Sequence, residues 1–149
     1  MDTLIQALQD LFATNFVAYT QSHIAHLNTK GRNFYSDHKL LEKVYEFLQD
    51  DIDTIGEKIR TIRGLAPDSI SLITTRSSVR DHLVMGSADQ LLEIVDEAIE
   101  TLIEEYHRVY EEAEAVQYID ISNFAQDQIG QLAKLRWMIE ATLDERNEE

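Results

Sequence analysis

The sequence predicts an all-α fold, a bundle of four long helices with one extended crossover, and three observations lead there. Helix breakers are scarce, with one proline and five glycines in 149 residues, so long stretches can run without interruption. Two segments repeat their apolar residues at alternating steps of three and four, the spacing that near-parallel helices need to interdigitate. Of the three connections between long segments, two are short and one is long.

The first helix is expected over about Asp2 to Leu27, with Ile5, Leu8, Phe12, Phe16 and Tyr19 on its apolar side. A polar link from Asn28 to Asn33 contains Gly31, and His38 stands at the beginning of the second helix. The seam of that helix is Leu41, Tyr45, Leu48, Ile52, Ile55, Ile59 and Ile62. From Arg63 to Ser87 runs RGLAPDSISLITTRSSVRDHLVMGS, which holds the proline and a cluster of Ser and Thr. Within it Ile70, Leu72 and Ile73 are placed for a short amphipathic helix. The third long helix carries the seam Leu92, Val95, Ile99, Leu102, Tyr106, Val109, Ala113 and Val116. After a link at Gln117 to Asp120, the fourth spans about Ile121 to Leu143, with Ile129, Leu132, Ile139 and Leu143 facing inward. Short links make antiparallel hairpins of the first and last pairs, and the long crossover can run back along the bundle. A single long crossover is the ferritin-like topology. One domain over residues 1–149 is expected, large enough to bury a core without staples.

Composition narrows the function. There are no cysteines, which excludes disulfides, thiolate zinc sites and a Cys nucleophile. The opening MDTLIQALQD has no basic region, and no apolar run approaches the roughly 18 residues of a membrane span. A soluble cytoplasmic protein is the expectation. Thirteen Lys and Arg against 28 Asp and Glu give a net charge of −15. No Lys or Arg precedes Lys30, and the sequence closes with DERNEE. A polyanion such as DNA is held mainly by Lys and Arg on its phosphates, so little or no DNA binding is expected, whereas cations would be attracted.

Four residues look like a metal site: His26 and His38 around the Gly-containing link, then Asp53 and Glu57 one turn apart on the second helix. Imidazole with carboxylate suits iron or zinc better than calcium. Asp53 and Glu57 share one helix face, on the far side from the Ile52 and Ile55 seam. His38 and Asp53 are fifteen residues apart on what reads as one continuous helix, roughly 22 Å at about 1.5 Å per residue. Metal–ligand bonds are only about 2 Å long. The two pairs therefore cannot clasp one ion within a single chain, so either they are unrelated or two chains build the site together. Taken singly, each is more often a surface or packing residue. A bundle-core di-iron centre would need a Glu-x-x-His pair on each of two helices, and this sequence has one such pair, Glu104 and His107. At about 100° per residue, Glu104 falls almost opposite the seam through Leu102 and Tyr106, which makes it surface charge.

The segment His23 to Arg60, HIAHLNTKGRNFYSDHKLLEKVYEFLQDDIDTIGEKIR, closely resembles the signature of the Dps family of ferritin-like mini-cages. His26, Asn28, Gly31, Phe34, His38, Glu42, Tyr45, Asp53 and Glu57 fall at the matching positions, and AKLRWMIEA around Trp137 resembles the family's closing stretch. The Trp that usually follows the first His is Leu27 here, and Gly56 stands where many members have Ala. The resemblance implies a homo-oligomeric shell of twelve subunits with ferroxidase sites at two-fold interfaces. His26 and His38 of one chain would face Asp53 and Glu57 of its neighbour, with Glu57 bridging two irons. It also implies oxidation of Fe(II), typically with hydrogen peroxide in the family, with dioxygen the other candidate oxidant, and storage of Fe(III) as a mineral, protecting against oxidative damage. Pores on three-fold axes are implied near the start of the last helix, where Asp120 and Asp127 are the candidates. Plain alternatives remain: Asp120 complementing the helix dipole and Asp127 as surface charge. Two other readings of the whole molecule are a DNA-compacting shell and a structural shell with a vestigial metal site.

Overall fold

The computed structural model describes residues 1–147 of the chain. Five helices follow in order: α1 (Asp2–Asn28), α2 (Phe34–Thr61), α3 (Ile70–Arg76), α4 (Ala88–Ala115) and α5 (Ile119–Asn147). The second helix begins one turn before His38, because Gly31 at φ +110° reverses the chain tightly enough for Phe34 N–H to reach the Gly31 carbonyl at 3.1 Å. A side chain at this φ would be strained, which explains a glycine in that link. The short helix anticipated in the crossover is α3, and Ser69 caps it by accepting from Leu72 N–H at 3.0 Å. At the other end of the crossover, Ser87 and Gln90 form a reciprocal capping box that starts α4.

Side-chain pairs fix the topology. Asn15 meets Leu48 and His26 meets His38, so α1 and α2 are antiparallel. Thr14 meets Glu105 and Asp10 meets Arg108, so α1 and α4 are antiparallel as well. Arg136 reaches Asp96 and Glu100 while Phe124 lies against Tyr106, which sets α5 antiparallel to α4. Helices α2 and α4 therefore run parallel, and only the long crossover can connect them. This is the ferritin-like four-helix bundle with a short fifth helix.

Most seam residues fill the core. Leu41, Leu48, Ile55 and Ile59 of α2 and Leu92, Val95, Ile99, Leu102, Tyr106 and Val109 of α4 belong to one core, all essentially inaccessible. Each such side chain contributes roughly 1.5–3 kcal/mol by leaving water. On α1 the fully buried positions are Leu4, Leu8 and Leu11, while Ile5, Phe12, Phe16 and Tyr19 pack at the margin. The crossover is tied down by polar contacts. Arg76 and Arg108 share the carboxylate of Asp10 at 2.9 and 2.8 Å, and Ser78 N–H donates to Thr14 Oγ1 at 2.9 Å. Among the described residues, no helix is long and apolar enough to cross a membrane.

Candidate metal centre

The end of α1 and the start of α2 bring His26 and His38 together. Their rings stack with centroids 3.7 Å apart and planes 18° from parallel. Each imidazole donates its Nδ1–H to the other's backbone carbonyl: His26 to the His38 oxygen at 2.8 Å, and His38 to the His26 oxygen at 2.8 Å. A carbonyl can only accept, so both Nδ1 atoms carry hydrogen and both Nε2 atoms keep a lone pair. That tautomer is the one a metal-binding histidine needs, and hydrogen bonding at the second nitrogen is the usual way of fixing it. His26 is 6 % exposed and His38 half-buried. Phe34 stacks on the outer side of His38 at 4.9 Å, while Tyr45 lies 4.9 Å from His26.

Asp53 and Glu57 sit elsewhere. Helix α2 is unbroken from Phe34 to Thr61, so His38 and Asp53 are held roughly 22 Å apart along it. Both carboxylates are exposed, on the face of α2 opposite the buried Ile55 and Ile59. The fold thus unites the histidines and separates them from the acids. Among the described residues of one chain, no three His, Cys, Asp or Glu residues form a cluster that could hold a metal. Between the carboxylates, Gly56 faces Phe12, whose Cε2 lies 3.4 Å from where a Cβ would stand. A bulky side chain there would press the acid-bearing turn away from α1.

The remaining candidates are distributed. Asp120, in the first turn of α5, accepts both of its contacts from Lys58 Nζ, at 3.0 and 2.9 Å. Asp127 is exposed, and its charge acts on the buried Asp51. Glu104 and His107 both lie exposed on α4. Leu27, next to His26, is 64 % exposed, and Trp137 is 63 % exposed on α5.

Besides Asp37 in the first turn of α2, which is 1 % exposed, two buried acids lay outside the sequence reading. Asp51 is 6 % exposed and accepts from Tyr106 Oη at 3.3 Å. Burial pushes its carboxyl up to about 7, the Tyr106 hydrogen bond opposes the rise, and the charges of Asp50 and Asp127 add to it. Glu105, beside the exposed Glu104, is 9 % exposed and accepts from Thr14 Oγ1 at 2.8 Å. Burial raises its carboxyl too, against the hydrogen bonds from Ser78 and Thr14. A signal was present in both cases, since each acid stands three positions after one seam residue and one before the next. That places it about 60° off the seam, at the edge of the core.

Comparison with known proteins agrees with this architecture. The family model for the ferritin-like domain matches residues 5–147. The chain is 29 % identical to the DNA protection during starvation protein of Helicobacter pylori, over 93 % of this chain and 96 % of that protein. It is 32 % identical to the fine tangled pili major subunit of Haemophilus ducreyi, over 97 % of this chain and 76 % of that one. The crystal structure of Dps from Vibrio cholerae, described as a member of a broad superfamily of ferritin-like diiron-carboxylate proteins, superposes with a TM-score of 0.90 at 25 % identity, covering 95 % of this chain and 89 % of that one. The chain belongs to the ferritin-like domain family and, within it, to the Dps family.

Proposed function

We propose that this protein is an iron-oxidising and iron-storing mini-ferritin, whose sites are completed between subunits of a twelve-chain shell. The observation that carries the reading is the His26–His38 clasp, which stacks the two rings and leaves both Nε2 lone pairs uncommitted while the acidic pair stays exposed and out of reach. In the shell, His26 and His38 of one chain face Asp53 and Glu57 of a neighbour. Fe(II) is the substrate, and hydrogen peroxide is the oxidant ahead of dioxygen. The mixed donors hold two ions close enough for paired one-electron oxidations, and Glu57 bridges them. At −15 per chain, twelve subunits carry roughly −180, a field that draws Fe(II) inward and favours mineral growth on carboxylates. Asp120 and Asp127 line the entry pores in this reading, with the Lys58 pairing tempering Asp120.

The test combines light scattering with anaerobic Fe(II) titration followed by peroxide. A species near twelve chains, with stoichiometric oxidation lost on His38→Ala and on Asp53→Ala, is the expected result. Unaltered rates in both variants would remove these residues from the mechanism and leave a structural shell with a vestigial site. The name of the Helicobacter pylori relative favours a second reading, a shell that compacts DNA. A net charge of −15 speaks against it, and tight binding in a mobility-shift titration at low salt would reverse that ranking.

A further inference from the structure

We propose that the cleft between the crossover and α4 binds a small zwitterion, a free α-amino acid with a short apolar side chain. This site is separate from the histidine pair and does not depend on the iron reading. After α3 the crossover is pinned to α1, where Gln21 Nε2 donates to the Arg80 carbonyl at 2.8 Å. Between this stretch and Ile94, Glu97 and Ala98 of α4 lies a cleft of about 260 Å³, which Gln21 also lines. Ligand pockets for drug-sized molecules span roughly 300–1,000 Å³. A cleft of this size therefore suits a solute of amino-acid dimensions and not a nucleotide.

Gln21 shows that the occupant must bring a hydrogen-bond donor. Its side chain is only 4 % exposed, and the bond to Arg80 fixes the orientation of the amide, because turning it over would set oxygen against oxygen. The Oε1 then finds no hydrogen-bond partner among the described residues. A buried amide oxygen without a donor is a standing penalty, and an N–H group in the cleft removes it. Gln21 also borders a second hollow, but that one is walled by Phe16, Ile24 and Ile73. A polar solute belongs on the Glu97 side.

The charges around the cleft give the solute both signs. Arg80 and Glu97 line the same cleft and are exposed, yet neither forms an ion pair among the described residues. Arg76 and Arg108, by contrast, are both committed to Asp10. A cation and an anion that share a cleft without neutralising each other match a molecule that carries one charge of each kind. Its ammonium donates to Gln21 Oε1 and to the Glu97 carboxylate, and its own carboxylate accepts from the planar fork of Arg80. Between these groups Val79 and Ala98, 7 % and 4 % exposed, form with Ile94 an apolar wall. A short hydrocarbon side chain covers that wall.

The test is isothermal titration of the full-length, metal-free protein with three probes. L-Valine carries both charges, 3-methylbutanoate lacks the amine, and 2-methylpropylamine lacks the carboxylate. Saturable binding of L-valine is expected, roughly tenfold or more tighter than that of either truncated probe, since each of those forfeits a charge-assisted hydrogen bond. Arg80→Gln and Glu97→Gln, both at exposed positions, should each weaken L-valine by a similar factor while light scattering shows an unchanged particle size. In crystals grown with L-valine, the ammonium should lie within hydrogen-bond reach of Gln21 Oε1. No saturable binding of L-valine, equally tight binding of 2-methylpropylamine, undiminished affinity in both variants, or the amino acid seated elsewhere would each overturn the proposal. None of these measurements involves iron, so the ferroxidase reading stands or falls by its own test.

Discussion

Replacing Asp51 by Asn should turn a pH-dependent liability of the core into a pH-independent contact. Asp51 is nearly inaccessible, and burial raises its carboxyl from an ordinary 3.8 to about 7. A raised carboxyl means that the folded state holds its proton longer than the unfolded chain does. Below pH 4 both states are protonated, and the residue imposes no penalty. As pH climbs through the interval from about 4 to about 7, the unfolded chain releases its proton first, so stability falls. Above pH 7 the full penalty is present, about 4 kcal/mol at 1.36 kcal/mol per pH unit. Relaxation of the charged form lowers this, and roughly 2–4 kcal/mol is the expected difference. The amide oxygen introduced by Asp51→Asn would still accept from Tyr106 without carrying charge. The assay is urea denaturation of metal-free wild type and Asp51→Asn at fixed protein concentration, which keeps assembly from confounding the comparison. The variant should match the wild type near pH 4 and exceed it at pH 8. The difference isolates Asp51 from Glu105 and Asp96, whose carboxyls burial also raises. An equal offset at both pH values would refute the claim that the fold keeps this acid neutral.

Other perturbations have definite signs. Gln117 ends α4 at φ +57°, with Tyr118 N–H bonded to the Ala113 carbonyl at 2.9 Å; Gln117→Gly should therefore raise stability by about 1 kcal/mol in the same urea assay. Gly130 lies within α5 with open space where a Cβ would stand, so Gly130→Ala should add about 1 kcal/mol as well. Ser87→Ala removes the oxygen that accepts Gln90 N–H at 3.2 Å and should cost about 1 kcal/mol. Leu102 is wholly buried, and Leu102→Ala should cost roughly 2–5 kcal/mol, read as a lower thermal midpoint.

The bundle was legible because its signal is periodic. The α2 and α4 seams match the buried faces except at their margins, where Tyr45 and Ile52 are half-buried and Val116 is 36 % exposed. Helix α1 was read less well, since its core face runs through Leu4, Leu8 and Leu11 while the aromatic residues chosen from the sequence lie at its edge. Thr14, Asn15 and Ser22 are fully buried on that helix, and polar residues in the core blur an apolar pattern. At the site, the spacing of His26, His38, Asp53 and Glu57 gave the candidates and the distance constraint. Sequence could not give the reciprocal carbonyl bonds, because they depend on how two helix ends meet across a turn. Nor could it tell Glu105 from Glu104 by type alone, since the two differ only in their angle to the seam.

The mutual clasp of His26 and His38 also divides each ring between two duties. Each has committed its Nδ1 hydrogen to the other's backbone carbonyl, so the bonds that shape the corner between α1 and α2 use one nitrogen of each imidazole and leave the Nε2 lone pair uncommitted. Whatever meets Nε2 therefore meets an atom that the turn does not need for its own hydrogen bonding.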